Sequence, residues 1–100
     1  MQGRRRTIAP GQDPLEALEK PGDYCGPVMG WSGDRPAVFF LLPIEGDKFE
    51  RLHHVVSPPH RFVEELDGSL SVYESIEANR NNPNGPYWHG YLKAGVWQSC

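Results

Sequence analysis

The chain has no long apolar run: the longest, Ala37 to Leu42, is six residues. A membrane-spanning helix needs about 18 or more such residues, so that class is excluded. Cysteine is scarce too. Cys25 and Cys100 form no CxxC pair, and two thiols so far apart define no disulfide framework. Cys25 reads as a small residue in a turn-rich stretch and Cys100 as an exposed thiol. The N-terminus opens with arginines but lacks the apolar core of a signal peptide, so synthesis without export is expected. Basic charge is thin beyond that tip: Arg4, Arg5 and Arg6 hold three of ten basic side chains, which leaves residues 7–100 with seven against thirteen acidic groups, a net of −6. Such a body repels nucleic-acid phosphates and lacks a basic stripe, so nucleic-acid contact is not expected except through the Arg4–Arg6 tip. Those arginines otherwise read as a solvated terminal tip, or as a contact for an acidic partner.

What the chain does hold is turn chemistry. Its 11 Gly and 10 Pro, with 11% aromatics and no repeat, favour short strands joined by tight turns over long helices. The expected fold is all-β or β-dominated: a small antiparallel sheet, sandwich or barrel-like domain with an N-terminal arm and one short helix. Residues 1–22 read as the arm and residues 23–100 as the β domain, the arm serving assembly rather than the fold. Within it Asp13 suits an N-cap and Pro14 the first helical position, with Glu16 placed to reach back. Leu15 and Leu18 share one face of that helix, and Pro21-Gly22 stops it. So short a helix is unstable alone, so both leucines must dock on the domain's own sheet or on a neighbouring subunit.

Strand signals follow. Pro27–Trp31 suggests a weak strand, and Ala37–Leu42, apolar on both faces, a central one. Arg51–Ser57 is rich in β-branched residues and sets Leu52, His54 and Val56 against His53, Val55 and Ser57 on the other face. Arg61–Leu66 and Ser69–Tyr73 form a hairpin at Asp67-Gly68. A two-residue turn there groups Val63 with Leu70 and Val72, whereas a three-residue loop groups Phe62 with them, the register favoured because it buries the phenylalanine. Residues 79–86 read as a long polar loop. A last hairpin joins Tyr87–Leu92 to Val96–Gln98 across Lys93-Ala94-Gly95.

The segment from His53 to Trp97 collects all four histidines and two of three tryptophans, which makes it the place to look for a site. No catalytic residue is assigned. The serines lack the Gly-x-Ser-x-Gly elbow, no helix begins after Cys25 to activate its thiol, and Glu64 with Glu65 point to opposite faces. Metal chemistry would have to draw on His54, His60 and His89, whose spacing matches no compact ligand motif, so no metal or other cofactor is expected. The remaining signal is the row Tyr87, His89 and Tyr91, which shares one face of a strand while Trp88 and Leu92 share the other. If Trp88 and Leu92 are core, that row is a solvent-facing stripe suited to partner contact; the alternative is a strand buried on both faces.

The order Val38-Phe39-Phe40, a later histidine, Glu74-Ser75-Ile76, then Trp88-His89-Gly90-Tyr91 running to Gly95-Val96 resembles a group of small tailed-phage and prophage proteins of unknown function, often mislabelled ammonia monooxygenase. The similarity spans about residues 37–97. Many members carry a cysteine pair where this chain reads Leu41-Leu42-Pro43-Ile44, and a further cysteine in the last hairpin that is also missing here. The resemblance therefore implies phage origin rather than a zinc site or an activity. The resulting expectation is a non-catalytic interaction or assembly protein, such as a virion accessory or a capsid- or tail-associated component. Its partners would be copies of itself or other phage proteins, its place the host cytoplasm or the virion, and its contacts Tyr87, His89, Tyr91, Leu15, Leu18 and Arg4–Arg6. The alternatives are a small protein that binds and modulates a host factor, and third a metal-dependent enzyme.

Overall fold

A strand that is apolar at every position is stable only where both of its faces are covered. The computed structural model describes residues 1–82 and 85–100, and only the backbone of Trp31 and Ser32. In chain order its elements are β1 (Arg4–Arg5), α1 (Pro14–Ala17), β2 (Asp23–Ser32), β3 (Arg35–Leu41), α2 (Lys48–Arg51), β4 (Leu52–Val56), β5 (Arg61–Glu64), β6 (Leu70–Ala78), β7 (Trp88–Lys93) and β8 (Val96–Ser99). They form two four-stranded sheets, β1-β2-β3-β4 and β5-β6-β7-β8. The β-dominated fold expected from turn chemistry is the fold observed.

The central strand β3 separates two cores. Val38, Phe40 and Leu42 face the second sheet and meet Leu70, Val72, Ile76, Trp88, Leu92 and Trp97. Trp97 lies 5.2 Å from Phe40 and 5.5 Å, edge-on, from Trp88, geometries that aromatic quadrupoles favour. Gly90 makes this possible, since a Cβ there would sit 2.6 Å from the Trp88 ring and 2.2 Å from the Gln98 carbonyl. On the other side of β3, Ala37, Phe39 and Leu41 join Cys25 and Leu18 in a second core flanked by Ile8, Leu15, Leu52 and Val56.

That second core overturns the reading of residues 1–22 as an arm apart from the fold. Leu18 is fully buried against the chain's own sheet, so it is not available to a neighbouring subunit, and Leu15 packs beside it. Asp13 caps α1 through Leu15 N–H at 2.9 Å, with Pro14 in the first turn as expected. Further upstream, Met1, Gln2 and Gly3 pair with β8: Gly3 N–H donates to Gly95 O at 2.7 Å and Trp97 N–H to Met1 O at 2.8 Å, with a bridge between Gln2 and Val96. The same stretch then runs into β1, parallel to β2. It stitches one sheet to the other. Gly3 is required at the crossing, because a Cβ would stand 2.8 Å from Trp97 Nε1 and 2.9 Å from Gly22 O.

The hairpin at Asp67-Gly68 takes the three-residue register. Phe62 stands opposite Val72 and Glu64 opposite Leu70, Glu65 N–H bonds Ser69 O at 2.8 Å, and Gly68 adopts φ +86°. Phe62 thereby reaches the main core. The last hairpin closes more tightly than expected, Lys93 pairing with Val96 across Ala94-Gly95 alone, both with positive φ, as a two-residue hairpin turn requires. Two elements were longer than their signals, β2 and β6. One, α2, carries no apolar periodicity but has an N-cap, Asp47, bonding Phe49 N–H at 2.9 Å. The polar loop expected over residues 79–86 lies partly outside the described residues.

Candidate functional site

Alternation along β7 divides its side chains between core and solvent. Trp88 and Leu92 are 7% and 0% exposed, whereas Tyr87, just before the strand, and Tyr91 are 57% and 36% exposed. The strand is therefore not buried on both faces, and Tyr87, His89 and Tyr91 lie on the outward surface of the second sheet. Pairing of β7 with β6 sets His89 opposite Glu77. On that surface Tyr87 donates its hydroxyl to Glu77 Oε2 at 2.7 Å, a bond that, with some desolvation, pushes the tyrosine pKa up. His89 Nε2 lies 3.1 Å from Ser75 Oγ. Two cations lie over rings on this sheet, Arg61 4.9 Å from the Tyr73 centroid and Lys93 5.1 Å from Tyr91, within the range of cation–π attraction. The surface is a set of polar aromatics contacted by their neighbours, a composition that interfaces favour.

His60 reaches the same region from the turn ahead of β5. Its Nε2 meets Ser75 O at 3.3 Å, and a carbonyl only accepts, so Nε2 carries the proton in that bond. Beside it Pro59, His60, Glu74 and Ser75 line a cleft of about 260 Å³. A serine bonded to an imidazole is the beginning of a nucleophile and base. Here neither His60 nor His89 bonds a carboxylate among the described residues, so the third member that would orient the ring is missing.

His54 lies elsewhere. It projects from the outer face of β4 and stacks on Phe39 at 5.4 Å, with the first sheet and the main core between it and His89. The trio His54, His60 and His89 is thus not brought together, and no cluster of three His, Cys, Asp or Glu side chains fit for a metal occurs among the described residues. His53 stacks on Phe40 from the inner face, and burial, helped by neighbouring His54, lowers its pKa. Cys25 is buried and Cys100 exposed, both free; burial above all pushes the Cys25 thiol up to about 11, far from a reactive thiolate.

The arginine run is not a free tip. Arg4 holds buried Asp23 through Nε at 3.1 Å and Nη2 at 2.9 Å. Burial alone would raise the Asp23 pKa, but Arg4 and the Lys20 and Glu19 backbone N–H groups hold it below the ordinary value. Arg5 pairs with Glu64 and donates to Gly68 O at 2.9 Å and Gly26 O at 3.0 Å, tying the β5–β6 hairpin to β2. Arg6 donates to Ala17 O at 3.0 Å and pairs with Glu19 at 2.8 Å. Each expected contact for an acidic partner is thus engaged by the chain's own carboxylates and carbonyls. The sequence gives little sign of these roles, because the partners lie up to 63 residues away.

No family model, curated protein or solved structure matches the chain.

Proposed function

We propose that the chain is a non-catalytic phage-type interaction and assembly protein that meets its partner, a further copy or another phage protein, through the outward face of its second sheet. The observation that carries this reading is the division of β7, in which Trp88 and Leu92 fill the core and leave Tyr87, His89 and Tyr91 outside. Tyrosines held by Glu77 and beneath Lys93 offer large rigid surface at little entropic cost on binding. The resemblance over residues 37–97 supports the phage setting. The incomplete Ser75–His89 pair supports a binding role over catalysis.

The test is Tyr87→Ser with Tyr91→Ser. The double variant should melt within a few degrees of the native chain yet lose the association this face makes, seen as a smaller species in sedimentation. Equal association with both tyrosines gone overturns the reading. So does a melting temperature as low as that of Trp88→Ala, because the tyrosines would then be part of the core.

A further inference from the structure

Strand β6 loses its alternation in the middle. Val72 stands opposite Leu92 and Ile76 opposite Gly90, so residues 73–75 face Tyr91 alone and the strand bulges. Period-two spacing from buried Val72 and Ile76 would turn Glu74 into the core, yet Glu74 is exposed. The bulge has re-aimed it toward the surface, as such irregularities do beside functional sites.

The re-aimed residue borders the cleft of about 260 Å³ that it shares with Pro59, His60 and Ser75. Pockets for whole small molecules span roughly 300–1,000 Å³, so this one suits a single side chain. Its lining accepts hydrogen bonds. His60 spends its Nε2–H on Ser75 O at 3.3 Å, and His89 Nε2 lies 3.1 Å from Ser75 Oγ; a carbonyl and a hydroxyl each keep a lone pair beyond one such bond. Glu74 adds a carboxylate, which makes no ion pair or side-chain hydrogen bond among the described residues. Arg61, opposite Tyr73 in the ladder, lies over the Tyr73 ring at 4.9 Å and leaves that carboxylate to the cleft.

We infer that the cleft takes the side chain of a lysine or arginine from a basic segment of a partner protein, with Glu74 as its counter-ion. This rests on the reading of the second sheet's outward face as the contact surface, and it names the chemistry that surface recognises. A cationic side chain carries donors and no acceptor, so it matches the Glu74 carboxylate and the spare lone pairs of Ser75 O and Oγ. Its aliphatic stem lies against Pro59 while the charged head reaches the carboxylate. Charge also selects the partner. Residues 7–100 carry seven basic against thirteen acidic groups, and Arg4, Arg5 and Arg6 are spent on the chain's own carboxylates and carbonyls. Long-range attraction therefore draws a basic partner and opposes a second copy.

The test is a titration of the full chain, followed by nuclear magnetic resonance, with two capped pentapeptides: acetyl-Gly-Gly-Lys-Gly-Gly-amide and its norleucine counterpart, which keeps the stem and lacks the charge. The lysine peptide should shift the signals of His60, Glu74 and Ser75 in a saturable way, and the norleucine peptide should not. Glu74→Gln, verified as folded by its melting curve, should weaken the lysine peptide about fivefold, as loss of one accessible ion pair does. Glu45→Gln, which removes an exposed carboxylate outside the cleft, should leave binding unchanged. Equal shifts with norleucine, shifts spread evenly over the acidic surface, or undiminished binding by Glu74→Gln overturn the proposal. The norleucine comparison needs no variant, so it decides even if Glu74→Gln fails to fold. The Tyr87→Ser, Tyr91→Ser chain should still bind the lysine peptide. Should the peptide fail at the cleft while that chain loses association, the cation site is wrong and the tyrosine face stands.

Discussion

Leu18→Ala is the sharpest probe of how the N-terminal residues are used. The side chain is fully buried and packs with Cys25, Ala37, Phe39 and Leu41. Truncating a buried leucine costs about 2.7–5.0 kcal/mol, the spread reflecting how far the site can collapse. One wall here is a single turn of helix and its approach, which can settle inward, so the lower part of that range is expected, about 3 kcal/mol. In a domain of this size each kcal/mol lowers Tm by roughly 4–8 °C, which places the fall on the order of 12–24 °C. Leu15, only half-buried, serves as the internal control and should cost about half as much or less. Thermal unfolding followed by circular dichroism, with sedimentation on the same samples, reads both stability and mass. A drop under about 5 °C together with a changed oligomeric state would mean that Leu18 docks on another subunit and that its place in the second core is wrong.

Thiol titration checks the same packing from the other side. With Cys25 buried beneath α1, its Sγ 3.6 Å from Pro14 O, and its pKa pushed up to about 11, a disulfide reagent should modify Cys100 promptly and Cys25 only after unfolding; prompt reaction of both contradicts the cover α1 provides. His53 predicts a pH effect. Its folded pKa is held below the ordinary 6.5 by burial first and by His54 second, so between those values the unfolded chain binds more protons than the folded one. Stability should therefore rise with pH through that window and be lost as pH falls from about 6.5 through the depressed value. Urea unfolding of the native chain and of His53→Gln, at points from pH 5 to 7.5, should show a shallower slope in the variant, and equal slopes would refute the assignment.

The parts of the fold that were legible in the sequence are those fixed by local chemistry. Ala37–Leu42 announced a strand covered on both faces because nothing in it can face water. Asp13-Pro14 announced a capped helix, and Asp67-Gly68 a hairpin whose register followed once Phe62 had to be buried. The two faces of β4 followed from strict alternation, and His53 and His54 do stack on opposite sides, on Phe40 and Phe39. The start of β2 and the far end of β6 were missed for a physical reason. Asp23 gains its place by pairing with Arg4, and Glu77-Ala78 by pairing with His89 and Trp88, and neither partner lies within the window that propensity reads.

The arginine run shows most clearly why function is harder to read than fold. Counted along the chain, Arg4, Arg5 and Arg6 are a block of like charge, and such a block signals a solvated tail or a binding tip. Placed in space, they are three separate contacts: one holds a buried carboxylate, one ties a hairpin to the other sheet, and one caps the end of α1. A charge so engaged has already given up water for a protein partner, so an incoming acidic ligand would have to displace Asp23, Glu64 or Glu19 and the carbonyls beside them. The tyrosine row differs in kind. Its members were exposed by the same alternation that buried Trp88 and Leu92, and among the described residues their polar tips bond side chains on their own sheet. A partner reaching the second sheet would therefore meet side chains that need not leave an internal contact of the core, and that difference is why the proposed contact is set there and not at the basic end.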